Sequence, residues 1–180
     1  MKSEADLIKR LKSTRHKEEA FRELLDLYQE RLYWHIRKIV VRHEDADDVL
    51  QNTFLRVFKG INGFKAESSL HTWMYRIAYN ESIRFLEKNR QKDLSLLDPS
   101  EYREALTEDD HFDGDEIKLK LHQVISELSE KQQRVFQMKY FDDLSFRQIS
   151  ELLDISENTL KSAYYAAVKI IEERMISQLV

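Results

Sequence analysis

The segment from Phe64 to Asn80 contains the side chains of this chain that are best suited to recognise another molecule. It combines aromatic rings, hydroxyl groups, an arginine and an asparagine, and more basic residues follow at Arg84, Lys88, Arg90 and Lys92. Aromatic faces stack on unpaired bases and cations hold phosphates, so this mixture is typical of a surface for single-stranded nucleic acid. The alternative is an ordinary packed helix, and Trp73 in particular is more typical of a core than of a stacking platform.

The sequence lacks the patterns that catalysis or metal binding would need. Cysteine is absent, the six histidines are scattered without a His-x-x-x-His or His-Glu-x-x-His spacing, and no glycine-rich phosphate loop occurs. The run 43–45 contains possible metal ligands, but an exposed acidic cluster at the start of a helix is the better explanation. We therefore expect no enzyme, no metal, no cofactor and no small-molecule substrate.

The composition predicts that helices position these residues. Of the 180 residues, 42% are hydrophobic and 34% are charged, with only 3 glycines and 1 proline, which favours an all-α soluble protein. No apolar run is long enough to cross a membrane. The charged N-terminus lacks an apolar signal core, so we do not expect export.

The net charge of −4 hides an uneven distribution along the chain. Residues 1–92 contain 19 lysines and arginines against 14 carboxylates, residues 93–116 contain 1 against 10, and residues 117–180 contain 9 of each. The basic excess of the first part suggests an anionic partner, with a solvated charged surface as the alternative. The acidic stretch contains the only proline, and we predict that it is a flexible linker between two small helical domains, 1–92 and 117–180.

Hydrophobic periodicity predicts three helices in the N-terminal domain. The first covers 18–42, the second begins at the acidic cluster 45–48 and ends at Gly60 and Gly63, and the third covers 69–90. The second helix has a stripe that is either solvated or a binding surface, formed by Asp48, Gln51, Asn52 and Leu55.

On the third predicted helix, some residues are harder to assign to the core than Trp73. They are Tyr75, Arg76, Tyr79 and Asn80. We predict that these four, more than Trp73, contact bases.

The C-terminal domain has strong helix-start signals. The runs 129–132 and 145–148 each fit a capping box. The second of these helices ends before Asp154, a residue type that tolerates a left-handed turn, and Ser156 can cap a helix over 157–174. Two helices with a three-residue turn between them predict a helix-turn-helix.

Taken together, these blocks resemble the extracytoplasmic-function (ECF, group four) sigma factors of bacterial RNA polymerase, in the sigma-70 family. The resemblance covers nearly the whole chain and rests on the blocks 45–58, Phe64 with 72–80, 128–136, 144–153 and 159–162. It implies a helical bundle, called region 2, that recognises and melts the −10 promoter element. It also implies a helix-turn-helix, called region 4, that recognises the −35 element, with the acidic linker running toward the RNA exit path.

The resemblance also implies roles for individual residues. The clamp helices of the largest polymerase subunit would be bound by Asp47, Asp48, Gln51, Asn52 and Leu55. The −10 element, with a flipped base in the 64–71 loop, would be bound by Phe64, Lys65, Ser68, Ser69, His71, Tyr75, Arg76, Asn80, Arg84 and Lys88. The −35 element would be bound by Ser156, Glu157, Asn158, Thr159, Lys161, Ser162, Tyr165 and Lys169.

The recognition helix departs from the family pattern. Ala163, Ala166 and Val168 stand where the family usually has arginines, and Asp154 and Asn158 stand where it has glycines. Because phosphate contacts supply most nonspecific affinity, we expect weak or unusual −35 recognition. Most promoter discrimination is then expected from the 64–80 block.

The partners that the resemblance implies are core RNA polymerase, at its clamp helices and flap, promoter DNA, and an anti-sigma factor, often membrane-bound in this family. The implied location is the bacterial cytoplasm, or the membrane when such a factor holds the protein there. An alternative function is a stand-alone helix-turn-helix regulator that binds duplex DNA without polymerase. That alternative leaves the 64–80 block and the stripe of the second helix without a role.

Overall fold

The computed structural model of the protein describes residues 3–40, 42–90 and 116–179, and the regular structure in these ranges is entirely helical. The chain forms two compact units, one up to Leu96 and one from Leu97 onward. These observations confirm the predicted all-α fold with two small helical domains. The predicted linker 93–116 lies outside the described residues except for Glu116, where a helix begins. In the described ranges, no helix is long and apolar enough to cross a membrane.

The first unit is built from four α-helices and a short 3-10 turn. They are α1 (Glu4–Leu11), α2 (Lys17–Val40), α3 (His43–Gly60), the 3-10 turn (Ile61–Gly63) and α4 (Leu70–Arg90). Helices α2, α3 and α4 pack against one another, and α1 packs on α2 and on the 3-10 turn. Helices α2 to α4 match the three predicted helices within a few residues at each end. Helix α1 is not among them, because eight residues give too short a periodic pattern to stand out.

The core of the first unit lies between the apolar stripes of these helices. Its fully buried side chains include Leu11, Leu24, Leu32, Ile36, Val57, Leu70 and Met74. Burial of each such large side chain contributes roughly 1.5–3 kcal/mol. This packing fixes the outward faces of α3 and α4, where most of the candidate residues of this unit lie.

Helix α3 ends at Gly60 as predicted, but Gly60 does not form a left-handed cap. Its φ angle is −87°, which any residue adopts, and the chain continues directly into the 3-10 turn. A Cβ atom on Gly60 would lie 3.4 Å from Cζ2 of Trp73, an ordinary van der Waals contact. The indole of α4 therefore packs beside the backbone at the end of α3.

Over residues 116–179, the second unit contains α5 (Glu116–Ser126), α6 (Glu130–Phe136), a π-helical turn (Gln137–Phe141), α7 (Phe146–Leu153) and α8 (Glu157–Leu179). Both predicted capping boxes are present, because Ser129 accepts from the backbone N–H of Gln132 and Ser145 accepts from that of Gln148. The π-helical turn is not predicted by the sequence patterns.

The turn between α7 and α8 has the predicted helix-turn-helix geometry. Asp154 adopts φ 55° and ψ 43°, the left-handed conformation expected at this position. The hydroxyl of Ser156 accepts a hydrogen bond from the backbone N–H of Thr159 at 3.3 Å, which caps α8. Helix α8 continues to Leu179, beyond the predicted end at 174, and packs its inner side on Val124, Leu128 and Phe136.

Candidate functional site

Helix α3 presents a stripe of exposed side chains on the face opposite to its buried one. The buried face consists of Ala46, Val49, Thr53, Phe54 and Val57. The exposed stripe consists of Asp47, Asp48, Gln51, Asn52 and Leu55, and all five predicted polymerase-binding residues belong to it. Leu55 is 50% exposed although it is apolar. An apolar side chain among polar ones on a solvent-facing helix surface is suited to bury against a partner protein.

Asp45 belongs to the same acidic cluster but not to this stripe. It is half-buried, and this burial raises the pKa of its carboxyl group, an effect that the charge of Arg42 opposes. Asp47 faces solvent, and its carboxylate lies 3.5 Å from Nε2 of His43 on the preceding turn. The acidic cluster therefore divides into one inward and two outward carboxylates.

The outer side of α4 carries a row of polar and basic residues at four-residue intervals. Arg76, Asn80, Arg84 and Lys88 are all exposed, and their spacing places them along one gradually turning side of the helix. Four of the predicted −10 contacts thus form one continuous surface, hereafter the α4 row. Cations in such a row can hold successive phosphates of a nucleic-acid strand, and the amide of Asn80 can recognise a base edge.

A carboxylate inside the first unit holds one member of the α4 row. Glu81 is largely buried, and its Oε1 lies 2.5 Å from Nη1 of Arg84 and 2.7 Å from Nε of Arg56 on α3. The side chains of both arginines remain more than half exposed. Arg84 can therefore still reach a phosphate, but Glu81 already holds one of its N–H groups and offsets part of its charge. Neither Glu81 nor Arg56 is among the predicted site residues.

The loop between the 3-10 turn and α4 begins with an anchored residue. Phe64 is 4% exposed, and its ring lies 5.0 Å from that of Trp73. The Nζ of Lys12 donates a hydrogen bond of 2.5 Å to the carbonyl oxygen of Phe64. The ring of Phe64 is therefore packed in the core, and its contact with DNA stays a prediction.

The same loop ends at a capped helix N-terminus. The hydroxyl of Ser69 accepts from the backbone N–H of Thr72 at 3.1 Å, and a carboxylate oxygen of Glu4 accepts from that of Leu70 at 3.1 Å. Ser69, a predicted −10 contact, thus serves as a helix cap in this structure. Between the two ends, Lys65 is exposed, Ser68 is half-exposed and Ala66 has a φ of 56°.

The prediction that Tyr75 is harder to assign to the core than Trp73 is wrong. Tyr75 is 1% exposed and packs between the rings of His35 and His71, at 4.8 and 4.3 Å, whereas Trp73 is only half-buried. Its neighbour Met74 is also fully buried, and the ring of Tyr75 contacts one residue of α2 and one of α4. Its ring cannot stack on a base in this conformation. His71 is half-buried against Tyr28 and Tyr75.

In the second unit, the first turns of α8 carry the predicted −35 contacts. Exposed positions are Ser156, Asn158, Lys161, Ser162, Tyr165 and Lys169, and half-exposed ones are Glu157 and Thr159. Tyr165 is 63% exposed, whereas its neighbour Tyr164 stacks on Phe136 at 5.9 Å. The structure thus distinguishes a packed tyrosine from one that is available for contact.

The cations of this helix-turn-helix lie beside carboxylates one turn away. Nζ of Lys161 is 3.6 Å from Glu157, and Nζ of Lys169 is 3.9 Å from Glu173. Nε of Arg147 on α7 is 3.2 Å from Glu151. The recognition surface is therefore close to neutral, which agrees with its lack of family-typical arginines.

Comparison with known families matches both units. Residues 24–92 match the family described as Sigma-70 region 2, and residues 118–171 match the family described as Sigma-70, region 4. The two matches occur in this order along the chain. They fall on the four-helix unit and on the helix-turn-helix unit.

Similar proteins with curated names include the ECF RNA polymerase sigma factor SigW of Bacillus subtilis. It is 26% identical over 88% of this chain and 90% of its own length. The ECF RNA polymerase sigma-E factor of Haemophilus influenzae is 26% identical over 87% of this chain and 87% of its own. The chain thus spans nearly the full length of these relatives.

Two of the solved structures with a similar fold are complexes of two proteins. The sigma factor RpoE in complex with the anti-sigma factor NepR from Bartonella quintana has a TM-score of 0.66, at 18% identity over 86% of this chain and 96% of that one. CnrH in complex with the cytosolic domain of CnrY has a TM-score of 0.65, at 16% identity over 95% of this chain and 96% of that one. From the two matched regions and the full-length relatives, we conclude that the chain belongs to the extracytoplasmic-function sigma factors of the sigma-70 family.

Proposed function

We propose that the protein initiates transcription by binding core RNA polymerase and directing it to promoters, through binding alone and without catalysis. The observation that carries this proposal is the order of the two matched sigma-70 regions on two helical units. Sigma factors as a family are not enzymes. We propose the limits 1–92 for region 2, 93–116 for the linker and 117–180 for region 4.

The surface proposed to bind the clamp helices of polymerase is the exposed stripe of α3. Its support is the position of Asp47, Asp48, Gln51 and Asn52 around the exposed Leu55 on a helix whose other face is fixed by the core. Polar groups around one apolar anchor give the core-and-rim arrangement of protein interfaces. A helix face that needs no rearrangement also binds at a low entropic cost.

The surface proposed to bind the −10 element is the α4 row together with the exposed part of the 65–71 loop. Arg76, Arg84 and Lys88 would hold phosphates of the non-template strand, and Asn80 would recognise a base edge. Lys65, Ser68 and His71 would line the loop that receives a flipped base. Phe64 and Tyr75, whose side chains are buried, would support this surface from inside.

The surface proposed to bind the −35 element is the first part of α8. Ser156, Glu157, Asn158, Thr159, Ser162 and Tyr165 offer hydroxyl, carboxylate and amide groups to base edges, and Lys161 and Lys169 offer charge. Because both lysines lie beside carboxylates, we propose that this helix contributes little nonspecific affinity. Region 4 is also proposed to contact the polymerase flap.

An anti-sigma factor is part of the proposal. The RpoE structure, which has a similar fold, is a complex with an anti-sigma factor. We propose that this chain also has such a partner and acts in the bacterial cytoplasm. It would be held at the membrane where its anti-sigma factor is membrane-bound.

The test is reconstitution with core RNA polymerase. Purified protein should co-elute with core polymerase in gel filtration, and the holoenzyme should give discrete run-off transcripts from a genomic DNA library, whereas core alone should not. Tight binding of duplex DNA by the protein alone, without co-elution and without transcripts, would instead identify a stand-alone regulator and refute the proposal.

A further inference from the structure

Two hydrogen bonds from α1 hold both ends of the 64–70 loop. At the first end, Lys12 donates to the carbonyl oxygen of Phe64, and its Nζ also lies 5.9 Å from the centroid of the Phe64 ring. At the other end, Glu4 accepts from the backbone N–H of Leu70 at 3.1 Å. The partners are separated by 52 and 66 positions in sequence, so only the tertiary structure brings them together.

Helix α1 is itself fixed to the rest of the unit. Leu7 and Leu11 are buried in the core. Arg10 lies 2.9 Å from Asp6 on its own helix and 2.7 Å from Glu23 on α2, and its side chain is largely buried. Helix α1 is therefore fixed to the rest of the first unit by buried leucines and by an ion pair with α2, and its contacts can hold the loop in place.

The loop needs these contacts from outside, because the residues in its middle are not packed against the core. Residues 65 to 67 are exposed, and Ala66 adopts a φ of 56°, a conformation that costs a non-glycine residue roughly 1–2 kcal/mol. A segment of this kind keeps one conformation only when its ends are held from outside. Pre-organisation lowers the entropic cost of capturing a ligand, and it sharpens discrimination between ligands.

We infer that Lys12 and Glu4 are positioning residues for base recognition by this loop: they hold it in the shape that accepts a flipped base, without touching DNA themselves. The inference rests on the proposed −10 role of the loop. It goes beyond that role because it assigns part of promoter discrimination to α1, a helix that precedes the matched region 2. It predicts that removal of either hydrogen bond weakens sequence discrimination more than it weakens polymerase binding.

The experiment uses holoenzyme assembled from the full chain and core polymerase. A single-stranded DNA with a randomised segment is first selected to define the preferred −10 sequence of the wild-type holoenzyme. The ratio of affinities for preferred and mismatched strands is then measured for Lys12→Met and Glu4→Met, which remove the donor and the acceptor respectively. We expect this ratio to fall about fivefold in each variant, as for the loss of one net hydrogen bond. Affinity for core polymerase should remain unchanged.

Matched controls distinguish positioning from general effects of charge or stability. Lys9→Met removes an exposed lysine of α1, Glu19→Met removes an exposed carboxylate of α2, and both should keep the wild-type ratio. Lys12→Arg keeps a donor and should restore most of the discrimination. Thermal unfolding of each variant shows whether the first unit is intact.

The outcomes separate this inference from the proposed function. If the wild-type holoenzyme has no sequence preference and Asn80→Ala changes nothing, the proposed −10 role fails and the inference fails with it. If the wild-type holoenzyme discriminates between the strands and the Asn80→Ala holoenzyme does not, but Lys12→Met and Glu4→Met both keep the wild-type ratio, only the inference is refuted. Equal losses in Lys9→Met and Lys12→Met would also refute it.

Discussion

Glu81 is the residue whose replacement tests the electrostatics of the candidate site most directly. Its carboxylate holds Arg84 of the α4 row and Arg56 of α3 at the same time. Glu81→Gln preserves the size of the side chain and removes the charge. Both guanidinium groups then become available to phosphates, so the substitution should strengthen DNA binding although it removes two ion pairs.

Two magnitudes can be estimated for this substitution: the change in the salt dependence of DNA binding and the loss of folding stability. Each arginine that gains a contact with a phosphate of the DNA changes the salt dependence of binding. The slope of log K for DNA binding against the logarithm of the salt concentration becomes steeper by about 0.7 for a single strand. Two released arginines therefore give a change of up to about 1.4 in this slope. The arginines are more than half exposed, so each lost pair costs only about 0.2–1 kcal/mol of folding stability. For a unit of this size, 1 kcal/mol lowers Tm by roughly 4–8 °C.

The assay is fluorescence anisotropy of a labelled oligo-dT strand with the full-length protein, repeated over a series of salt concentrations. The matched control is Glu87→Gln, which makes the same charge change at an exposed position of the same helix. We expect a steeper slope and tighter binding at low salt for Glu81→Gln than for Glu87→Gln. Equal slopes in the two variants would refute the reasoning, because Glu81 would then not be competing with phosphate.

Three other substitutions test separate parts of the structure. Asn80→Ala should reduce open-complex formation more than Lys161→Ala does, as measured by permanganate reactivity of the melted strand. The opposite order would refute the expectation that the first unit supplies most of the promoter discrimination. Leu55→Asp should abolish co-elution with core polymerase, whereas Leu27→Asp, at a similarly exposed leucine of α2, should not. Similar losses in both variants would contradict the proposal that the α3 stripe binds polymerase. Asp154→Gly should relieve a left-handed conformation and raise the unfolding free energy of the second unit by up to about 1 kcal/mol, and a lower Tm would contradict this.

Local sequence signals predicted the features that depend on neighbours along the chain. The capping boxes at Ser129 and Ser145 and the left-handed Asp154 are each determined by a few adjacent residues, and all three are confirmed. The outward stripe of α3 follows from helical periodicity, since its opposite face is continuously apolar. The family resemblance is confirmed by the same blocks, because they contain these local patterns in a fixed order.

Periodicity was less informative where several faces of one helix are apolar or aromatic. Helix α4 has rings on more than one side, so sequence alone assigned Trp73 to the core and Tyr75 to the surface. The structure reverses this ranking, because Tyr75 points between His35 and His71 while Trp73 lies at the edge beside Gly60. Burial of a ring depends on which helix faces it, and that is a property of the packing.

The sequence by itself determined that the chain is helical, that it has two regions of sigma-70 type, and which helix turns carry polar groups. Only the tertiary structure decided which of those groups are available for contact. It buried Phe64, brought Arg56 of α3 beside Glu81 of α4, and placed Lys12 and Glu4 at the ends of the loop. The reason is that these contacts join residues that lie far apart in the sequence, and the residue pattern of one helix does not show which other element packs against it.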